Sequence, residues 1–159
     1  MLARRLSRRD PSRVLDNATR PGPTAARLPE ADASPDRRRY VVVCRGPHCR
    51  ERGALPLRTR LVQLLRQAPS ARLVGYACFG QCERGPNVAF YPDGVWYGGL
   101  SDAAAAERVV RHATGQEPLA EPPLVLPEVE RTEHLRNIAE LVGTLERDAR
   151  RRRRWWWPF

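Results

Sequence analysis

Residues 77–99 read ACFGQCERGPNVAFYPDGVWYGG. Cys78 and Cys82 are separated by three residues, one of them a glycine. The stretch then changes character. NVAFY (87–91) and VWYG (95–98) are apolar and rich in β-branched and aromatic residues, and PDG joins them, so 87–98 reads as a β-hairpin. Two thiols at the mouth of a hairpin are half of a site.

The other half lies upstream. YVVV (40–43) reads as a buried strand that ends on Cys44, and RGPHC places Cys49 in the loop that follows. Next comes GALPLRTRLVQLLRQ, in which Leu57, Leu61, Leu64 and Leu65 recur at helical spacing, with Pro56 near the first turn and Pro69 as the stop. ARLVGYA (71–77) is a second strand, running into Cys78. After the hairpin, Ser101 is the expected N-cap of a helix whose apolar stripe is Ala106, Val109, Val110 and Ala113, and Gly115 ends it. The order is β-α-β-β-α over about eighty residues.

These are the chain's four cysteines, spaced Cys44-x4-Cys49 and Cys78-x3-Cys82. Each pair follows a strand. If the two strands are parallel neighbours joined by the 53–68 helix, both loops leave the same edge of the sheet and four thiols converge. A single zinc ion favours tighter C-x2-C turns. The wider loops better suit a two-iron cluster, and Gly46, Gly80 and Gly85 leave room for backbone N–H groups to approach sulfur. From the residues alone, zinc and disulfides stay open. His48, beside Cys49, reads as an exposed loop residue, Trp96 and Tyr97 as packing residues, and Asp93 as a turn former. Neither pair has the C-x-x-C spacing of a dithiol redox site.

The segments VVVCRGPHCRERGA, CFGQCERGPNVAFYPDGVWYGGL and the following helix resemble the thioredoxin-like [2Fe-2S] ferredoxins, relatives of the small iron–sulfur subunit of NADH dehydrogenases. The resemblance covers about residues 39–118. It implies an α/β, thioredoxin-like fold with a mixed sheet and one [2Fe-2S] cluster held by Cys44, Cys49, Cys78 and Cys82. It also implies one-electron transfer, with a redox protein as partner, often as a homodimer. The chain is thus expected to be an electron-transfer protein rather than an enzyme, and no catalytic residue is assigned. A second reading is a structural or assembly subunit in which the cluster braces the fold. The respiratory subunit carries a helical bundle ahead of its cluster domain; here the preceding segment is Arg- and Pro-rich, which favours a free-standing carrier or accessory protein.

The 159 residues carry 28 basic and 18 acidic side chains, a net charge of +10, and every basic one of the Lys/Arg class is Arg. Many soluble ferredoxins are acidic, so the docking polarity is reversed: Arg45, Arg50 and Arg84 flank the cysteines and would present positive charge to an acidic partner. Outside the 40–118 domain, residues 1–39 read as a disordered or extended Arg/Pro-rich tail and 119–127 as a Pro-rich linker. Residues 128–150 read as an amphipathic helix with a seam of Leu135, Ile138, Val142 and Leu145. The end, 151–159, is a docking tail. Arg150, Arg151, Arg152, Arg153, Arg154, Trp155, Trp156 and Trp157 suit a protein partner slightly better than an anionic membrane surface; no recognition module supports nucleic-acid binding. With no signal-peptide or transmembrane pattern, the expected location is cytoplasmic, at most peripheral to a membrane complex.

Overall fold

The structure is a computed structural model and describes residues 38–155, with side chains described through Arg153. Of the expected N-terminal tail, residues 1–37 lie outside the described residues, as do Trp156 and Trp157 at the other end.

Four strands form one sheet in the order β2-β1-β3-β4. β1 (Arg39–Cys44) lies at the centre, where every residue from Tyr40 onward is buried. It pairs in parallel with β2 (Ala71–Tyr76), with Cys44 opposite Tyr76, and antiparallel with β3 (Val88–Tyr91). β3 turns through Pro92, Asp93 and Gly94 into β4 (Val95–Tyr97). Gly94 takes φ +66° there and donates its N–H to Phe90 O at 2.8 Å, a left-handed turn that favours glycine. The mixed sheet follows from these connections: a hairpin needs only a short turn, whereas parallel β1 and β2 need the helical crossover between them.

That crossover differs from the expected loop-then-helix. RGPHC is a helical turn, α1 (Pro47–Cys49), which continues through a π-helical turn (Arg50–Ala54) into α2 (Leu55–Leu65). Pro47 starts it, where the fixed φ and missing N–H of proline cost nothing. Gly53, at φ 101°, breaks the regular spiral between the two helices. After the hairpin, α3 (Ala105–Ala113) starts from Ala104 with no side-chain cap, so Ser101 is not its N-cap; Asp102 Oδ1 instead accepts the N–H of Ala104 at 3.0 Å in the turn that leads in. Asp102 also pairs with Arg108 at 2.7 Å, which fixes it as the anchor of this turn.

Period-two alternation divides the sheet into two faces. Val41, Val43 and Phe90 face α2 and α3, where Leu57, Leu61, Val109 and Ala113 complete the core and Phe90 meets the His112 ring at 4.3 Å. Tyr40, Tyr76 and Tyr91 face the opposite way, toward the long helix α4 (Glu128–Trp155). His134 meets the Tyr76 ring edge-on, and Glu146 accepts a hydrogen bond from the Tyr40 hydroxyl at 2.5 Å. Ile138 and Val142 are buried between these contacts, and each contributes roughly 1.5–3 kcal/mol to holding the helix down. Leu145, the expected fourth member of the seam, is 42% exposed, because its turn lies beside the last strand contact, at Tyr40. The helix runs to Trp155 rather than stopping at Arg150, as a run of good helix-forming arginines allows.

The Pro-rich segment does more than link. Leu124 donates its N–H to Trp96 O at 2.7 Å and bridges to β4, while Leu119 and Leu126 are buried. It covers one of the sheet's two open edges. Among the described residues, no helix is long and apolar enough to cross a membrane.

Candidate metal centre

Because β1 and β2 are parallel and in register at Cys44 and Tyr76, the segments that follow them leave the same end of the sheet. Cys44 closes β1, and Cys49 ends the helical turn behind it. Cys78 lies two residues beyond β2, and Cys82 opens a 3-10 turn (Cys82–Arg84). All four thiols are free; Cys44 and Cys49 are buried, and Cys78 and Cys82 are half-buried. No disulfide joins any two of them in this structure.

The sulfurs sit as neighbouring pairs. Cys78 Sγ and Cys82 Sγ are 3.8 Å apart. Two thiolates on one tetrahedral metal, with bonds of about 2.3 Å, are separated by about the same distance. Burial pushes the Cys44 thiol up to about 12, and the adjacent Cys49 thiol adds to the rise against a lowering contribution from the Gly46 backbone. The Cys82 thiol is also raised, first by its hydrogen bond with Cys78 and further by its neighbours, Cys49 among them. Thiols that raise one another in this way are crowded, and a bound cation would reverse the effect on all of them. Among the described residues, no three His, Cys, Asp or Glu side chains close on a point that would hold a single ion.

Two of the three glycines singled out make room. A Cβ at Gly46 would stand 3.5 Å from Cys78 Sγ and 3.6 Å from Cys44 Sγ, so this glycine lies between the two pairs. At Gly85 a Cβ would fall 2.9 Å from Cys49 Sγ. Gly80 acts through its backbone: with φ +74°, it turns its N–H onto Cys78 Sγ at 3.4 Å.

His48 points away, exposed and 3.6 Å from Glu51. Trp96 and Tyr97 are buried packing residues, and Asp93 pairs with Arg39 at 3.3 Å as well as forming the turn. Two residues escaped the sequence reading. Among the described residues, Asn87 is the single buried polar one, and its Nδ2 donates to Gln81 O at 2.6 Å and to Cys49 Sγ at 3.6 Å. A polar side chain between Pro86 and the apolar strand was the available signal. Arg52 reaches across to donate to Cys82 O, tying the two cysteine segments together, and nothing in its sequence context marks it.

No family model matches the chain. It is similar to a 2Fe-2S ferredoxin from Aquifex aeolicus, 31% identical over 75 residues that make up 45% of this chain and 68% of the relative. A 2Fe-2S ferredoxin from Clostridium pasteurianum is 45% identical over 40 residues, 25% of this chain and 39% of that one. Among solved structures, the wild-type thioredoxin-like [2Fe-2S] ferredoxin from Aquifex aeolicus superimposes with a TM-score of 0.50 at 26% identity, over 57% of this chain and 99% of that one. A four-stranded mixed sheet flanked by helices, with four cysteines gathered at one end, agrees with that likeness, and the chain belongs to the thioredoxin-like [2Fe-2S] ferredoxins.

Proposed function

We propose that this chain is a one-electron carrier holding a single [2Fe-2S] cluster through Cys44, Cys49, Cys78 and Cys82. The observation that carries the reading is the gathering of four free thiols at one end of the sheet, with Cys78 and Cys82 at the separation of two ligands on one metal. When bound, such a cluster accepts and returns one electron. The protein's part is to hold and tune it. Cys44 and Cys49 keep water from the inner side, Gly46 and Gly85 leave space between the thiols, and the N–H groups of Asn87 and Gly80 point at sulfur, where they offset negative charge. Half-buried Cys78 and Cys82 form the side nearest solvent, where an electron would cross to a partner.

The arginine-rich end of α4 fits a tether. His134 lies beside Tyr76 at the cysteine end of the sheet and Glu146 beside Tyr40 at the opposite end. Exposed Arg150 to Arg153 therefore project away from the cysteines, about 24–29 Å of helix from His134. A tail held there, whether by a protein face or by an anionic membrane, leaves the cysteine end free.

Anaerobically isolated protein should be brown, hold two irons and two sulfides per chain, and give a paramagnetic signal only after one-electron reduction. Colourless protein carrying one zinc would overturn the assignment. Removing residues 150–159 should abolish attachment to a partner complex or to anionic vesicles without altering the visible spectrum.

A further inference from the structure

Beside Cys44, a cleft of about 190 Å³ is lined by Arg45, Arg50, Ala54, Leu55 and Arg58. We propose that this cleft is the docking surface for a carboxylate-bearing face of the chain's electron-transfer partner. The inference rests on the carrier reading above and adds where, and with what chemistry, the partner is met.

The three guanidinium groups are exposed, and none takes part in an ion pair among the described residues. This is unlike Arg39, Arg60, Arg108 and Arg111, each of which has a carboxylate partner. The arrangement is built rather than incidental at Arg45. A Cβ at Gly75 of β2 would fall 2.5 Å from Arg45 Cδ, so the missing side chain there lets the arginine stem lie across the strand toward the cleft. The nearby acids do not neutralise the site: Glu51 turns to His48, and Glu83 is exposed on the Cys82 turn. Unpaired arginines crowded beside a cleft favour an anion, and their planar forks match carboxylates in bidentate pairs.

Leu55 decides between anion sources. It is 54% exposed and stands among the arginines. A free inorganic anion gains nothing from an exposed leucine, whereas a protein face offers both an apolar contact and a rim of carboxylates. Cys44, a proposed cluster ligand, forms part of the cleft wall, so a partner seated there lies against the cluster's own ligand segment.

The test uses reduced, cluster-loaded protein at low ionic strength and two one-electron oxidants of opposite charge, trioxalatocobaltate(III) and hexaamminecobalt(III). In each case one electron passes from the cluster to cobalt(III), giving cobalt(II), and no proton moves. Arg45→Gln and Arg58→Gln should each slow oxidation by the anion about three- to fivefold and speed oxidation by the cation. Arg147→Gln, an equal charge change at the far end of α4, should change neither. Poly-L-glutamate should compete with the anionic oxidant in the wild type and lose that effect in the Arg45→Gln/Arg58→Gln protein. Unchanged rates in cleft variants that keep their visible spectrum would overturn the proposal, as would an equal effect from Arg147→Gln. Inorganic phosphate or phosphatidylglycerol vesicles competing as well as polyglutamate at equal charge would overturn the carboxylate assignment. Protein that never holds a bleachable cluster would instead overturn the carrier reading itself.

Discussion

Asn87 offers the sharpest test of how the protein tunes its centre. The carboxamide is 1% exposed; its Nδ2 points at Cys49 Sγ and Gln81 O, while its Oδ1 has no partner among the described residues. Asn87→Ala removes all of these at once. Losing the bond to Gln81 costs about 1 kcal/mol, and removing an unpartnered buried oxygen returns a similar amount, so the net change in folding stability should stay within about 1–2 kcal/mol. The redox effect does not cancel. Hydrogen bonds to charged acceptors are worth about 1.5–3 kcal/mol against about 0.5–1.5 for neutral ones, so one further negative charge on the acceptor strengthens such a bond by about 1 kcal/mol. For one electron, about 1.4 kcal/mol corresponds to about 59 mV. Because the added charge spreads over the whole cluster and the N···S contact is long, the expected fall in potential is about 20–40 mV, a fraction of that ceiling. Asn87→Asp, which sets an acceptor and a charge against the same sulfur, should lower the potential further. Spectroelectrochemical titration of the three proteins measures the order, and thermal unfolding checks the stability. A potential that holds still or rises in Asn87→Ala would refute the claim that this N–H stabilises the reduced state.

Two further predictions concern the frame around the site. Burial, aided by the nearby Arg39 charge and opposed by Asp93, holds the His112 imidazole below its ordinary value; the ring packs on Phe90 and Tyr97, and Nδ1 accepts the Leu119 N–H at 3.1 Å. The unfolded chain therefore takes up its proton first, so stability is lost as pH falls below about 6.5 and levels off once the folded form also protonates. Denaturant midpoints between pH 8 and 5 should show this slope in the wild type and lose it in His112→Gln. The shifted carboxyls do not confuse the window: Arg108 holds Asp102 down at about 2, and Arg60 lowers Glu107, so both act at more acid pH. At Gly98, a Cβ would meet Arg84 O at 2.5 Å and Asn87 Oδ1 at 2.9 Å. Gly98→Ala should destabilise by about 1–3 kcal/mol and lower the iron content after reconstitution. A fully loaded, equally stable variant would show that this close approach is not required.

Much of the cluster domain was legible because its signals are local. Tyr40 to Cys44, the Leu57/Leu61/Leu65 spacing and the PDG turn each declare their own element, and the cysteines mark both segments that the parallel strands bring together. Short-range pattern suffices there because strand alternation, helical period and turn chemistry are properties of a few neighbouring residues. Two features depended on distant contacts. Asn87 makes its bonds to residues 6 and 38 positions away. The Pro-rich segment became an edge cover only once Leu124 met Trp96. The seam of α4 announced that the helix packs against something without naming it, since Ile138 and Val142 would bury equally well on many apolar faces. Contacts from His134 to Tyr76 and from Glu146 to Tyr40 chose the face and the direction. The sequence by itself determined the four thiols, their strands and the basic charge. Tertiary structure alone decided that the helix covers the back of the sheet and carries its arginines away from the cysteines, because a narrow apolar stripe fixes burial but not orientation.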